Sequence, residues 1–125
     1  SLGENYPDIA SILQDENNLL YMSAESVREI IVAYKNKGFV TKKWKTCNEF
    51  LDMIASTLDV AVLPLDNNVM RTYANLHINT AQGHKDPSDH VIISHAISLH
   101  MPLISCDTRF PFYRRQGLDL IFNTK

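Results

Sequence analysis

Long hydrophobic runs are missing from this sequence. Stretches such as Val60 to Leu65 and Val91 to Ile93 fall far short of the roughly 20 apolar residues that a membrane-spanning helix needs, so no membrane role is expected. No segment combines the charged start, apolar middle and small-residue cleavage site of a secretory signal. Cysteine is scarce as well. Cys47 and Cys106 are the two present, and Cys106 falls in an apolar run where a reduced thiol behaves as a small buried hydrophobe. The sequence therefore reads as that of a cytoplasmic protein. A basic excess is also lacking: the net charge of −2 gives the molecule as a whole no attraction for nucleic acid. No internal repeat, low-complexity tract or long flexible linker suggests an array or a disordered tail.

What is present suits one compact domain. A chain of 125 residues with 45% hydrophobic content can bury a core without disulfides or a structural metal. Charge is unevenly laid along it. Lys35, Lys37, Lys42, Lys43 and Lys45 cluster together, whereas residues 1–34 set Glu4, Asp8, Asp15, Glu16, Glu25 and Glu29 against Arg28. Such polarity suits a nucleic-acid path, although it is more often a solvated face. Lys42, Lys43 and Lys45 beside Trp44 have the chemistry to hold phosphates and stack a base, and equally that of surface lysines around a packed tryptophan. Arg114 and Arg115 carry a weaker expectation of the same kind.

Apolar spacing divides the chain. Ile9, Ile12 and Leu13 predict a helix over about Asn5 to Gln14, and the run Leu19 to Met22 predicts a short strand with Ser23 positioned to cap the next element. Val27, Ile30, Ile31 and Tyr34 follow a 3.6 period from Ala24 to about Lys37, where Gly38 supplies a stop. Thr46 to Leu58 repeats the pattern, and Val60 to Leu65 reads as a strand with Pro64 near its end. Asp66 should cap a helix that carries Val69, Met70, Tyr73, Leu76 and His77 on one side and ends before Gly83. Asp86 followed by Pro87 predicts another helix, to about His100. Leu103 to Cys106 and Leu118 to Phe122 read as strands separated by Arg109 to Gln116. Strands alternating with helices imply an α/β fold with a parallel sheet, because parallel neighbours need crossover connections.

In such sheets ligands bind beyond the carboxyl ends of the strands. Asp107 directly follows a strand run, Asp89 stands in the first turn of the helix behind Asp86, and Glu29 is about one and a half turns into the helix after Ser23. Three carboxylates converging on one pocket would raise each other's pKa unless a cation neutralised them. Magnesium or manganese takes oxygen ligands and suits phosphodiester hydrolysis. Each acid also has an ordinary reading: Asp86 as a cap, Asp89 as a favourable charge at a helix N-terminus, Glu29 as a surface residue. His77, His84, His90, His95 and His100 lack the i, i+4 spacing of a zinc-binding helix, and His95 reads as a polar or partly buried helix residue.

Three stretches together resemble the PIN-domain family, especially its VapC-like toxin branch. Ser23-Ala24-Glu25-Ser26-Val27-Arg28-Glu29-Ile30 resembles the segment presenting the second acid of the family, at Glu29. His84-Lys85-Asp86-Pro87-Ser88-Asp89, continuing through Ala96, resembles its second signature, with the acid at Asp89. Pro102 to Phe110 resembles the strand that ends in the last acid, at Asp107. The resemblance implies a three-layer α/β/α sandwich with a central parallel sheet. It also implies an endoribonuclease in which Glu29, Asp89 and Asp107 hold Mg2+ or Mn2+, usually a homodimer restrained by a cognate antitoxin. Members open with an apolar strand ending in aspartate. Nothing before Asn5 matches it and Asp8 falls in the first helical pattern, so residues 1–125 are expected to be a single PIN-like domain truncated at the N-terminus. Loss of that strand would leave a central gap or strand edges open to pairing with another chain. The alternative is a catalytically silent PIN-like module that binds RNA or protein; another magnesium-dependent α/β phosphatase is more remote, since no aspartyl-nucleophile strand is visible.

Overall fold

The computed structural model describes residues 9–37 and 45–122. The element order is α1 (Ile9–Gln14), β1 (Leu20–Ser23), α2 (Ala24–Lys37), α3 (Cys47–Leu58), β2 (Val60–Leu63), α4 (Asn67–Asn75), α5 (Pro87–Leu99), β3 (Leu103–Ser105) and β4 (Leu120–Phe122). Short 3-10 segments occupy Thr80–Gln82 and Phe110–Gln116. This is the α/β alternation expected, and both strand pairs are parallel. The strands form two two-stranded sheets, β1 with β2 and β3 with β4. The chain divides into two compact units, residues 19–65 and residues 1–18 with 66–125.

In the unit spanning 19–65, Leu20 pairs with Val60 and Ser23 with Leu63, and α2 packs on both strands. The Ser23 hydroxyl ends β1 and accepts from the Glu25 N–H at 3.1 Å, so one residue closes the strand and starts the helix. Thr46 caps α3 by accepting from the Glu49 N–H, and Asp59 closes it in the left-handed region at φ 50°. Tyr34 and Phe50 stack with ring centroids 5.7 Å apart, which locks α2 to α3. The stop at Gly38 and the group Lys42, Lys43 and Trp44 lie outside the described residues.

The other unit holds the core of Ile93, Phe110, Tyr113, Leu118 and Leu120, with Leu76, Ala96, Ile97, Leu103 and Phe122 packed around it. Its sheet sets Leu103 beside Leu120 and Ser105 beside Phe122. α4 lies along α5, with the buried Val69 as the anchor of α4. Two expectations need correction here. α4 stops at Asn75, so Leu76 and His77 lie beyond the helix, and Met70 is exposed. The reason is a competing set of bonds: the His77 backbone exchanges two hydrogen bonds with the Gln116 side chain, and the buried Asn79 caps the 3-10 turn through Gln82. Cys106 is exposed rather than buried, because β3 ends at Ser105 and the chain turns outward there. Both cysteines are free.

Candidate metal site at the start of α5

Two elements bring the candidate acids of this unit together. α5 begins with Asp86, whose carboxylate accepts from the Ser88 N–H at 3.0 Å, followed by Pro87, which fits the first helical turn because its missing N–H has no partner to lose. Asp86 is therefore a cap, and Asp89, half-buried in the first turn, gains from the positive end of the helix. Asp107 lies just past β3. Its N–H donates to the Ser105 hydroxyl at 3.1 Å, and its carbonyl accepts from Phe110 to open the following 3-10 helix.

The third member is His84, which no zinc-type histidine spacing in the sequence reveals. One of its ring nitrogens and carboxylate oxygens of Asp89 and Asp107 all lie within 4.8 Å of one another. The signal was present in the run His84-Lys85-Asp86-Pro87-Ser88-Asp89, but only a backbone that turns between Gly83 and α5 aims the ring back at Asp89. Gly83 makes that turn in the left-handed region, at φ 64°.

The proton positions follow from the partners. Asn79 N–H donates to the Tyr113 hydroxyl oxygen at 3.0 Å, which leaves the Tyr113 O–H to donate to His84 Nδ1 at 2.9 Å. The ring proton then sits on Nε2, which donates to Asp89 Oδ2 at 3.0 Å. The ladder is buried at its inner end: Asn79, His84 and Tyr113 expose almost nothing. Burial pushes the Tyr113 phenol up, against the Asn79 N–H that favours its ionised form. His90 braces His84 from below, with its Nε2 donating to the His84 carbonyl at 2.9 Å. His95, buried in the same helix, has its pKa lowered by burial, with the charge of Asp66 opposing.

Asp107 faces a different partner. The Arg109 guanidinium donates to Oδ1 at 3.0 Å and to Oδ2 at 2.7 Å, and the Arg109 N–H adds a bond to Oδ1 at 2.9 Å. The side-chain hydrogen bond from Arg109 is the main reason the Asp107 carboxyl is held below the usual carboxylate range.

Two carboxylates are a fitting donor set for a hard divalent ion. His84 spends its Nε2–H on Asp89, so in this arrangement it orients that carboxylate and offers no lone pair of its own on that nitrogen. Glu29 is held by α2 in the other unit and is half-buried. Arg114 donates to the Leu120 carbonyl at 3.2 Å, which ties it to β4.

Comparison with known proteins places the fold. A search of the curated proteins finds no match. The crystal structure of VapBC2 from Rickettsia felis bound to a DNA fragment from their promoter contains a chain of similar fold. That similarity has a TM-score of 0.64 and 19% sequence identity, over 98% of this chain and 88% of that one. The PIN domain family model matches residues 2–116, across both units, and this chain belongs to the PIN-domain family.

Proposed function

We propose that this PIN-domain protein is a metal-dependent endoribonuclease of the VapC-like, toxin–antitoxin type, folded as a single domain over residues 1–125. The observation that carries the reading is the approach of Asp89 and Asp107 at the carboxyl end of β3 and the start of α5, with carboxylate oxygens within 4.8 Å of each other and of a ring nitrogen of His84. Two acids so close favour a cation beside them, and the charge that Arg109 supplies to Asp107 is one that a divalent ion would replace. Asp89 and Asp107 would hold Mg2+ or Mn2+; Glu29 is proposed as a further acid on the family resemblance alone. When bound, such an ion would supply positive charge to the phosphodiester and make water more acidic, the chemistry that hydrolysis at this site would use.

The chain's own groups set the stage. His84 fixes the Asp89 carboxylate through Oδ2 and leaves Oδ1 outside that bond. The helix end at α5 favours negative charge at the same place. RNA is the substrate in this reading, and a cognate antitoxin protein is the partner, as the VapBC2 assembly of the structural relative suggests. No helix among the described residues is long and apolar enough to cross a membrane. A homodimer is part of the same proposal.

The test is cleavage of single-stranded RNA by the purified protein with Mg2+ or Mn2+, with a chelator, and in Asp89→Asn, Asp107→Asn and Glu29→Gln variants. Cleavage that needs the ion and drops at least about a hundredfold in the asparagine variants supports the reading, since each loses only a charge and a ligand. Cleavage that survives chelation rules it out. RNA binding without cleavage under every condition favours a silent binding module instead.

A further inference from the structure

Asp107 is already neutralised from within the chain. Three hydrogen bonds reach its carboxylate, from Arg109 Nε and N–H on Oδ1 and from the second guanidinium nitrogen on Oδ2. A carboxylate offers about four lone-pair positions, so this fork leaves little for any other electrophile. The pairing is also local, between residues two apart, and it is fixed from the backbone: the Arg109 carbonyl accepts from the buried Asn79 side chain at 3.1 Å. The Arg109 side chain is 36% exposed, so it has room to leave Asp107 without disturbing that anchor. It stands within the field of Asp89 and Asp86 as well as Asp107.

We propose that Arg109 is the resident counter-cation of the acid pair, which a divalent ion must displace from Asp107 to bind, so that Arg109 sets the metal affinity of the site. This rests on the reading of Asp89 and Asp107 as metal ligands. Without an ion, two carboxylates this close repel each other, and the guanidinium removes that repulsion. With an ion, guanidinium and metal compete for the same oxygens and repel each other. Arg109 is thus a positioning residue that weakens binding of the first ion and keeps the ion-free site stable.

The test is Mn2+ binding by calorimetry, together with the rise in Tm on adding Mn2+, in the wild type, Arg109→Gln, Arg109→Lys and Asp107→Asn. Arg109→Gln should bind roughly three- to tenfold more tightly, the range of a partly exposed ion pair. Its Tm should be lower without metal and rise further with Mn2+ than that of the wild type. Arg109→Lys keeps the charge without the fork and should fall between the two. Equal or weaker binding by Arg109→Gln overturns the proposal and makes Arg109 an organiser of Asp107. If Mn2+ binding persists unchanged in Asp107→Asn, the carboxylates are not the ligands, and the proposed function falls with this inference. If Asp107→Asn abolishes binding while Arg109→Gln leaves it unchanged, this inference alone fails.

Discussion

His84 exposes none of its surface, yet its Nε2 lies 3.0 Å from Oδ2 of Asp89, a carboxylate that reaches solvent. A buried imidazole of this kind connects the core to the mouth of the site. Its other nitrogen meets Tyr113, and Tyr113 meets Asn79, so one carboxylate is aimed by a chain of groups drawn from distant parts of the sequence. Fully satisfied buried networks fix a single arrangement, and partly satisfied ones are costly.

Tyr113→Phe should therefore lower stability by about 1–3 kcal/mol, because the Asn79 N–H and His84 Nδ1 are both left without the hydroxyl. The ring still fills its place in the core, so the loss belongs to hydrogen bonding and not to a cavity. Urea unfolding of the two proteins measures the difference. Equal midpoints would show that water replaces the hydroxyl.

Asp86 and Asp89 lie on the same first turn but do different things. Asp86→Ala removes the N-cap of α5 and should lower stability by about 1 kcal/mol. Its effect on Mn2+ affinity should be far smaller than that of Asp89→Asn. Thermal unfolding and calorimetry on both variants separate the two roles, and the reverse ranking would make Asp86 a ligand.

Much of this site was legible in sequence because its parts are local. Asp86 with Pro87 marked the start of α5, and Asp107 was placed by the apolar run before it. The α/β class followed from alternation alone. What escaped was what depends on distant partners. The end of α4 was missed because the bonds from His77 to Gln116 and from Asn79 to Tyr113 span more than thirty residues, and they outweigh the apolar period that ran on to His77. His84 was missed for the same reason: spacing along a helix cannot reveal a ring that reaches its carboxylate across a turn. Cys106 was misread because the apolar run ends one residue earlier than hydropathy suggests.

Gly117 closes the 3-10 helix at φ 100°, where a side chain is strained whatever the space around it. A Cβ there would meet Ile97 Cγ2 at 3.6 Å, an ordinary contact, so the cost of Gly117→Ala comes from the backbone. About 1–3 kcal/mol of stability should be lost, read by urea unfolding. A loss near zero would mean that the turn relaxes, at the expense of the Leu118 bond to the Tyr113 carbonyl.

The pairing of Asp107 with Arg109 also predicts a pH dependence of definite sign. Arg109 lowers the Asp107 pKa in the folded chain, so the unfolded chain takes up the proton first as pH falls. The stabilisation is therefore complete above the unfolded value of ~4. It declines as pH falls through the lower, folded value. Asp107→Asn has no such proton to bind. The wild type should thus be more stable than Asp107→Asn at neutral pH, and the gap should close as the medium is acidified below the ordinary carboxylate range. His95 changes stability in a separate window: its depressed pKa makes the fold lose stability as pH falls below ~6.5, equally in both proteins. Tm measured against pH for the pair isolates the Asp107 contribution, because the His95 effect cancels in the difference. In Arg109→Gln the gap between aspartate and asparagine at position 107 should shrink at every pH above that range. A gap that widens on acidification would contradict the assigned direction of the Asp107 shift.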